Sequence, residues 1–256
     1  MRSPHPEVPA QPAATTDDAV LGGRLKLLQP AHGHRAGHDA ILLAAAAPAS
    51  KHAVDLGAGI GTTGLALLAR DAAERVTLIE IDAELAELAR ENASRNGYGE
   101  RTEIIVADIR KLAQDKTPAS LADLVIMNPP FNDPGRRNLS PDAGRRRAHA
   151  AAESELDPWL TAADRALETS GKLVLIHRPE AIETILASLA GRFGAAEIIP
   201  IFPRPDAAAI RVIVRAIKGR RTPPSLRPGL VLNGADGQPA AAADAILRGA
   251  AALDIA

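Results

Sequence analysis

The chain places three glycines at alternate positions, Gly57, Gly59 and Gly61, directly after an apolar segment that contains Asp55. Without a Cβ atom, a glycine lets the backbone turn sharply and approach a ligand closely. Residues 59–64 also satisfy the G-x-G-x-x-G spacing of dinucleotide-binding turns. The spacing therefore predicts a nucleotide-binding turn between a strand and a helix, and by itself it leaves NAD open as the ligand.

Acidic residues at successive strand ends narrow the choice of ligand. Asp55 precedes the glycines, Glu80 ends the second strand of this pattern, and Asp108 follows the third. An acid in the position of Glu80 can accept both hydroxyls of a ribose, and Asp108 could reach an adenine amino group. The carboxylate of Asp55 would repel a pyrophosphate, whereas the sulfonium and ammonium groups of S-adenosylmethionine (SAM) tolerate it. The sequence therefore predicts a SAM site.

A second motif, Asn128-Pro129-Pro130-Phe131, follows the apolar segment 124–127. Prolines restrict the backbone and lack an amide donor, so the Asn128 side-chain oxygen and the Pro129 carbonyl can face one point. Two fixed acceptors would satisfy both N–H donors of an exocyclic amine and turn its lone pair toward a methyl group. Phe131 offers a flat face for the ring that carries the amine. An ordinary Asn-Pro turn is the alternative, and the preceding motifs favour catalysis.

Short β-branched segments alternate with helical patterns, which is typical of a mostly parallel sheet with helices on both faces. Only a few residues join the last two strands, so these should form an antiparallel hairpin. We expect a Rossmann-like, doubly wound, seven-stranded α/β fold in one domain, residues 19–256, after a flexible tail, residues 1–18. The predicted strands are 52–57, 76–81, 102–107, 123–127, 172–177, 196–202 and 210–217. The predicted helices are 39–47, with Asp39 as its cap, 62–71, 83–96, 155–168, 179–192 and 240–252.

The composition excludes several classes of protein. The chain has 256 residues, a formal net charge of -1 and no cysteine, which excludes disulfides, thiolate metal sites and cysteine nucleophiles. Its longest apolar run is shorter than the roughly 20 residues that span a bilayer, and its proline-rich start does not resemble a secretory signal. We expect a cytoplasmic protein without a membrane segment. We expect no metal site, although His32, His34 and His38 lie close together in the sequence.

Two basic stretches stand out in this nearly neutral chain. Residues 132–149 carry five arginines against two aspartates, a net charge of +3, and residues 204–227 carry seven cations against one aspartate, a net charge of +6. A charge run is usually a solvated surface, but the first stretch directly follows the Asn-Pro-Pro-Phe motif. Because the guanidinium group suits phosphates, we predict contact with nucleic acid there. The candidate residues are Arg136, Arg145, Arg146 and Arg147.

With these motifs in this order, the chain resembles class I SAM-dependent methyltransferases that methylate amines, whose signature is Asn or Asp, then Pro-Pro, then an aromatic residue. More narrowly, it resembles the bacterial tRNA-valine adenine-N6 methyltransferase family. The narrower resemblance rests on the segments Leu28-Gln29-Pro30, Gly33-His34-Arg35, 39–44, Leu230-Val231-Leu232 and Asp236-Gly237. It implies methyl transfer from SAM to adenine N6 in tRNA.

The resemblance also implies a role for each candidate residue. Glu80 would hold the ribose and Asp108 would contact adenine, while Gly37 and His38 would close over the amino-acid end of the cofactor. The methionine moiety would lie against Gly57, Gly59 and Gly61, and the target base would be received by Asn128, Pro129 and Phe131. Two rival interpretations stay open. One is a methyltransferase for a small molecule or a protein side-chain amide, and the other is a non-catalytic module that binds the cofactor or RNA.

Overall fold

The computed structural model describes residues 15–31, 37–114, 122–130 and 156–253. Its first element is an antiparallel hairpin of β1 (Thr15–Val20) and β2 (Leu25–Pro30), joined by a 3-10 turn at Leu21–Gly23. Alternate residues of β2 are buried, so one face of the hairpin packs on the rest of the protein. This hairpin was not predicted, and β1 begins inside the segment assigned to a tail, residues 1–18. Residues 1–14 of that segment lie outside the described ranges.

Among the described residues, nine strands form the main sheet. They are β3 (Ser50–Leu56), β4 (Ala73–Glu80), β5 (Thr102–Val106), β6 (Ala122–Met127), β7 (Leu167–His177), β8 (Phe193–Phe202), β9 (Arg211–Lys218), β10 (Ser225–Leu226) and β11 (Leu230–Val231). Their order is β10-β8-β9-β7-β6-β3-β4-β5, and β11 also pairs with β8. Neighbours from β7 to β5 are parallel, whereas β9 is antiparallel to both of its neighbours. The predicted doubly wound sheet and its antiparallel hairpin are confirmed, and β10 and β11 extend the sheet.

Helices cover both faces of this sheet. They are α1 (His38–Ala46), α2 (Thr62–Ala69), α3 (Ala83–Arg95), α4 (Ile109–Gln114), α5 (residues 156–166), α6 (Ile182–Leu189) and α7 (Ala241–Leu247). Ala53 of β3 lies in a buried cluster with residues of α1, α2, α3 and α7, and Val54 lies in a second cluster with residues of α5 and α6. Because successive strand residues point to opposite faces, the apolar strands fill both clusters. None of the described helices is long and apolar enough to cross a bilayer.

Several predicted element boundaries were wrong. Gly37, rather than Asp39, is the N-cap of α1. Helix α5 ends at residue 166 and β7 begins at Leu167, ahead of the predicted strand start at residue 172. The reason is that Leu167 is buried and pairs with Ala122 across a register shift in the β6–β7 ladder. Helix α4 was not predicted, and α6 and α7 are shorter than the predicted helices.

An acidic residue near the start of β6 ties this strand to β3. The Asp123 carboxylate accepts hydrogen bonds from the Ser50 hydroxyl (2.6 Å) and from the amides of Lys51 (2.9 Å) and His52 (3.0 Å). Burial raises the pKa of Asp123, but these hydrogen bonds outweigh burial and hold the pKa below its ordinary value. The glycine loop and the Asn-Pro-Pro motif follow the opposite ends of the same two strands. The Asp123 clamp therefore helps to fix the position of one motif relative to the other.

We expect Asp123→Asn to lower the free energy of unfolding by about 1–3 kcal/mol at neutral pH, because the amide lacks the charge and part of the acceptor capacity. A carboxylate with a depressed folded-state pKa stabilises the fold above its unfolded pKa, and this stabilisation is lost as the pH falls through the folded value. The difference between wild type and variant in urea denaturation should therefore shrink below about pH 4. Exposed Asp206 provides the matched control, Asp206→Asn. Equal effects of the two substitutions would contradict the clamp.

Candidate active site

The glycine loop, residues 57–61, connects β3 to α2 at the carboxyl edge of the sheet. The amides of Gly57 and Ala58 donate to the Ile79 carbonyl of β4, at 2.8 and 3.0 Å. Gly57, Gly59 and Gly61 have φ values of 70°, 55° and 86°, a region that favours glycine. Gly61 is the N-cap of α2. The loop is therefore held against the neighbouring strand before the helix begins, and the predicted strand–turn–helix is present.

The space around the three glycines differs. A Cβ atom at Gly61 would lie 3.0 Å from the Leu78 side chain, so this glycine allows close packing beneath the loop. A Cβ atom at Gly57 would lie 2.5 Å from Cη2 and 2.9 Å from Cζ3 of Trp159, so the indole covers this position. At Gly59, no described atom lies within 4 Å of the corresponding point. Of the three, Gly59 is the one whose missing side chain leaves room for a ligand.

Two buried carboxylates hold the loop and the first turn of the helix that follows it. Asp55 is 3% exposed, and its Oδ2 accepts a hydrogen bond from the Gly64 amide (2.9 Å) in α2. Glu80 is 7% exposed, and its Oε2 accepts from the Gly59 amide at 2.7 Å. Its Oε1 accepts from the next two backbone amides, at 2.9 and 3.0 Å. The structure thus brings Asp55, Glu80 and the glycine loop together in one place.

The environment of Asp55 changes its acidity. Burial raises the pKa of the Asp55 carboxyl to about 7, the negative charge of Glu80 adds to this rise, and the hydrogen bond from Gly64 opposes it. Near neutral pH, a cation bound beside Asp55 would favour its ionised form. The electrostatics of the loop therefore suit a positively charged ligand better than an anionic one.

A cavity of 430 Å³ opens beside the ends of β4 and β5. Ile81 and Val106 line it and are 64% and 51% exposed, although large aliphatic side chains are usually buried. Asp108 lines the same cavity, and its Oδ1 accepts a hydrogen bond from the Arg110 amide (2.8 Å) at the start of α4. Apolar walls with a few polar groups suit a flat ring that carries an amino group.

Asn128 lies at the end of β6, next to the glycine loop. Leu56 of β3 pairs with Met127 of β6, so Gly57 and Asn128 leave the sheet side by side. The Oδ1 atom of Asn128 is buried and has no hydrogen-bond partner among the described residues. A buried acceptor without a partner costs about 1–3 kcal/mol, so a ligand that brings a donor would recover this energy. Pro129 is buried, and Phe131 lies outside the described residues.

The predicted residues at the start of α1 lie further along the same edge of the sheet. Gly37 caps this helix and His38 begins it. The neighbouring Asp39 accepts a hydrogen bond from Nε of Arg211, the first residue of β9, at 2.7 Å. The start of α1 therefore lies beside β9, and the predicted contact of Gly37 and His38 with a cofactor stays a prediction.

The structure describes the second basic stretch, residues 204–227, but not the arginines of the first. Arg136, Arg145, Arg146 and Arg147 lie outside the described residues, in the segment 131–155. In the second stretch, several cations pair within the fold: Arg211 with Asp39 (2.7 Å), Arg215 with Glu197 (3.5 Å) and Lys218 with Asp164 (3.5 Å). Much of the positive charge of residues 204–227 therefore lies on side chains that join elements of the fold through ion pairs.

Sequence reasoning missed three residues of this site. Ile81 and Val106 could have been found from position, because Ile81 directly follows Glu80 and Val106 stands two residues before Asp108. Trp159 offers no such signal. It reaches Gly57 from α5, a helix that is distant in sequence from the glycine loop.

Comparison with known proteins identifies the family of this chain. The methyltransferase small domain family matches residues 36–200. A tRNA1(Val) (adenine(37)-N6)-methyltransferase of Aeromonas hydrophila is 30% identical over 207 residues, 79% of this chain and 84% of that protein. A protein of the same name from Enterobacter is 38% identical over 105 residues, 40% of this chain and 42% of that protein. The chain spans less than two thirds of the length of the first curated relatives that it matches.

A solved structure supports the same assignment. The crystal structure of a predicted O-methyltransferase, protein Atu636 from Agrobacterium tumefaciens, matches with a TM-score of 0.69 and 31% identity, over 84% of this chain and 97% of that chain. These matches confirm the resemblance to methyltransferases that the sequence motifs indicate. The family match spans the glycine loop, the three acidic strand ends and the Asn-Pro-Pro motif. The chain therefore belongs to the methyltransferase small domain family.

Proposed function

We propose that this protein transfers a methyl group from SAM to an exocyclic amine, namely adenine N6 in a tRNA. The observation that carries the proposal is the buried Oδ1 of Asn128, which has no hydrogen-bond partner among the described residues and follows β6 beside the glycine loop. The Aeromonas and Enterobacter relatives are tRNA1(Val) (adenine(37)-N6)-methyltransferases by name, which supports this choice of substrate. A tRNA substrate also fits a cytoplasmic protein.

The described residues fit SAM. Glu80 Oε2 receives one amide hydrogen bond, and because a carboxylate oxygen has about two acceptor positions, it can also accept from a ribose hydroxyl. We assign the open backbone at Gly59 to the methionine moiety and the cavity between Ile81, Val106 and Asp108 to the adenine ring. The Asp55 carboxylate binds the Gly64 amide in the helix that follows the loop, and its raised pKa favours a cationic ligand.

In this proposal, Asn128 and Pro129 position the target amine. SAM, when bound, supplies a methyl group on a positively charged sulfur. The Asn128 Oδ1 and the Pro129 carbonyl accept the two N–H groups, so the nitrogen lone pair faces the transferred methyl group. The nitrogen can lose its proton after the attack, so the residues need to orient the amine and exclude water rather than act as a strong base.

The Agrobacterium relative is named a predicted O-methyltransferase, which makes a hydroxyl acceptor the nearest alternative. A hydroxyl has one hydrogen to donate, whereas an exocyclic amine has two. The Asn-Pro-Pro segment offers two acceptors, so it fits the amine better. A small molecule or a protein side-chain amide would use the same two acceptors, and only the identity of the methylated product separates these substrates from RNA.

We expect the purified protein to transfer labelled methyl from SAM to tRNA and to yield N6-methyladenosine after digestion to nucleosides. Asn128→Ala should lower kcat on the order of a hundredfold, by analogy with the loss of a transition-state donor, and leave the SAM Kd nearly unchanged in calorimetry. Asn233→Ala, which removes an asparagine bound to the Pro203 carbonyl, is the control for folding. A methylated hydroxyl as the product, or full activity of Asn128→Ala, would overturn the proposal.

The raised pKa of Asp55 predicts that SAM binds more tightly as the pH rises. The ionised fraction of a group with a pKa of about 7 grows about tenfold between pH 6 and pH 8, so the SAM Kd should fall by up to about tenfold. Asp55→Asn should abolish this dependence.

Because a raised carboxyl pKa makes the folded state less stable as the pH rises toward that value, the Asp55→Asn variant should unfold at a higher temperature than wild type at pH 8 without ligand. Asp244→Asn, at a half-buried carboxylate that pairs with Arg248, serves as the charge control, and an unchanged pH profile in Asp55→Asn would refute this role.

We also propose that Arg136, Arg145, Arg146 and Arg147 contact RNA phosphates. Replacing Arg145, Arg146 and Arg147 together by Ala should flatten the logarithmic salt dependence of RNA affinity by about two to three units, because each phosphate contact contributes about 0.7 to 0.9. The matched control replaces Arg220 and Arg221, which are exposed beyond the end of β9 at the opposite edge of the sheet. If both variants change the slope equally, or neither does, the basic segment is a solvated surface.

A further inference from the structure

The single tryptophan of the chain lies against the glycine loop. Trp159 stands in α5, and a Cβ atom at Gly57 would lie 2.5 Å from its Cη2 atom and 2.9 Å from its Cζ3 atom. Distances this short exclude a side chain at residue 57. The six-membered ring of the indole therefore covers the backbone at the point where the chain leaves β3.

The surroundings of α5 hold the indole in this position. Leu160 is buried in the core cluster that contains the last residues of β3 and β6, and Trp159 packs against that cluster. The neighbouring Asp157 forms an ion pair with Arg192 at 2.9 Å. Just after α5, the Leu167 carbonyl accepts a hydrogen bond from the Lys218 ammonium at 2.8 Å. The start of the helix is thus tied to the segment before β8 and the residue after its end is tied to β9, and Trp159 is half-buried.

The position of the indole relates it to both motifs. Gly57 and Asn128 follow the paired residues Leu56 and Met127 of two neighbouring strands. The ring that covers Gly57 therefore lies near the place where the glycine loop and the acceptor of the target amine meet. A rigid, flat side chain with few rotatable bonds can hold a backbone segment in place at a low entropic cost.

We propose that Trp159 is a positioning residue for methyl transfer. Its ring fixes the backbone of Gly57, and through that backbone it sets the orientation of the methionyl end of the cofactor relative to Asn128. The proposal rests on the proposed function, because it takes the glycine loop as the SAM site. It differs from a packing role alone, because a packing residue affects stability without affecting the geometry of transfer.

The fluorescence of Trp159 gives a direct test, since no other tryptophan contributes. We expect S-adenosylhomocysteine, the demethylated product, to change the emission of the intact protein in a saturable way. The Kd from this titration should equal the Kd from calorimetry. The same titration of free N-acetyltryptophanamide controls for absorption and collisional effects of the nucleoside.

Variants separate positioning from packing. We expect Trp159→Ala to lower kcat about a hundredfold, as a misplaced reactant does, with the KM for tRNA unchanged, and Trp159→Phe to retain most of the activity. Ile185→Ala is the matched control, because Ile185 is fully buried in the same core cluster but lies on α6, away from the helix that carries the indole. It should lower the unfolding temperature and leave kcat unchanged.

Gly57 provides a second variant pair. Gly57→Ala alone should lower stability and cofactor affinity, because the added methyl group collides with the indole and the φ of 70° is strained. Adding Trp159→Ala removes the collision, so the double variant should lose less stability than the sum of the two single variants.

The outcomes distinguish this proposal from the proposed function. If the product binds in calorimetry but the emission of Trp159 does not change, or if Trp159→Ala and Ile185→Ala lower kcat equally, Trp159 only packs and the inference is wrong. If wild-type protein neither binds the product nor transfers methyl groups, the proposed function is wrong, and the inference about Trp159 is then wrong as well.

Discussion

Two buried carboxylates accept hydrogen bonds from the backbone of the glycine loop and of the helix that follows it, and the rest of the site is built around this arrangement. Glu80 accepts from Gly59, and Asp55 accepts from Gly64. Hydrogen bonds to charged groups contribute about 1.5–3 kcal/mol each, so the loop is ordered by the protein itself. This arrangement makes it unfavourable to ionise Asp55, because burial and the nearby Glu80 raise the pKa of its carboxyl group to about 7. A cationic ligand relieves this cost, which links the conformation of the loop to the charge of the molecule it binds.

The register of the parallel sheet decides which residues meet. Strand β3 lies between β4 and β6, so the segments that follow these three strands emerge side by side at one edge. The glycine loop, Glu80 and Asn128 are brought together in this way, as expected for ligand sites at the carboxyl ends of parallel strands. At the other edge, Asp123 clamps β6 to β3. A change at that clamp should therefore alter the position of the glycine loop relative to Asn128, although Asp123 touches neither.

The basic residues show that charge in a sequence does not describe a charged surface. Arg215 lies in a stretch of net charge +6, but it donates to the carbonyls of Ala46 (2.8 Å) and Leu253 (2.6 Å). Arg70 likewise donates to carbonyls of Ile246 and Ala251 beside α7. Long side chains with several donors can satisfy carbonyls at helix ends that lack partners. Here arginines join α7 and the segment after it, as far as Leu253, to α1 and α2.

Local patterns were enough to predict the fold class, the strands β3 to β9, the glycine loop and the Asn-Pro-Pro segment, because each depends on residues that are close in the chain. Neighbouring residues also determined the sharp turn at the glycines and the apolar character of the strands.

Tertiary packing decided the features that these local patterns did not predict. The hairpin of β1 and β2 is stable because the buried side of β2 meets the core, and β7 begins early because Leu167 pairs with Ala122. The exposure of Ile81 and the contact of Trp159 with Gly57 likewise depend on segments that meet only in the folded chain. The sequence by itself determined which residues could do the chemistry, and the tertiary structure decided which side chains surround them, because packing energies are set by contacts between residues far apart in the chain.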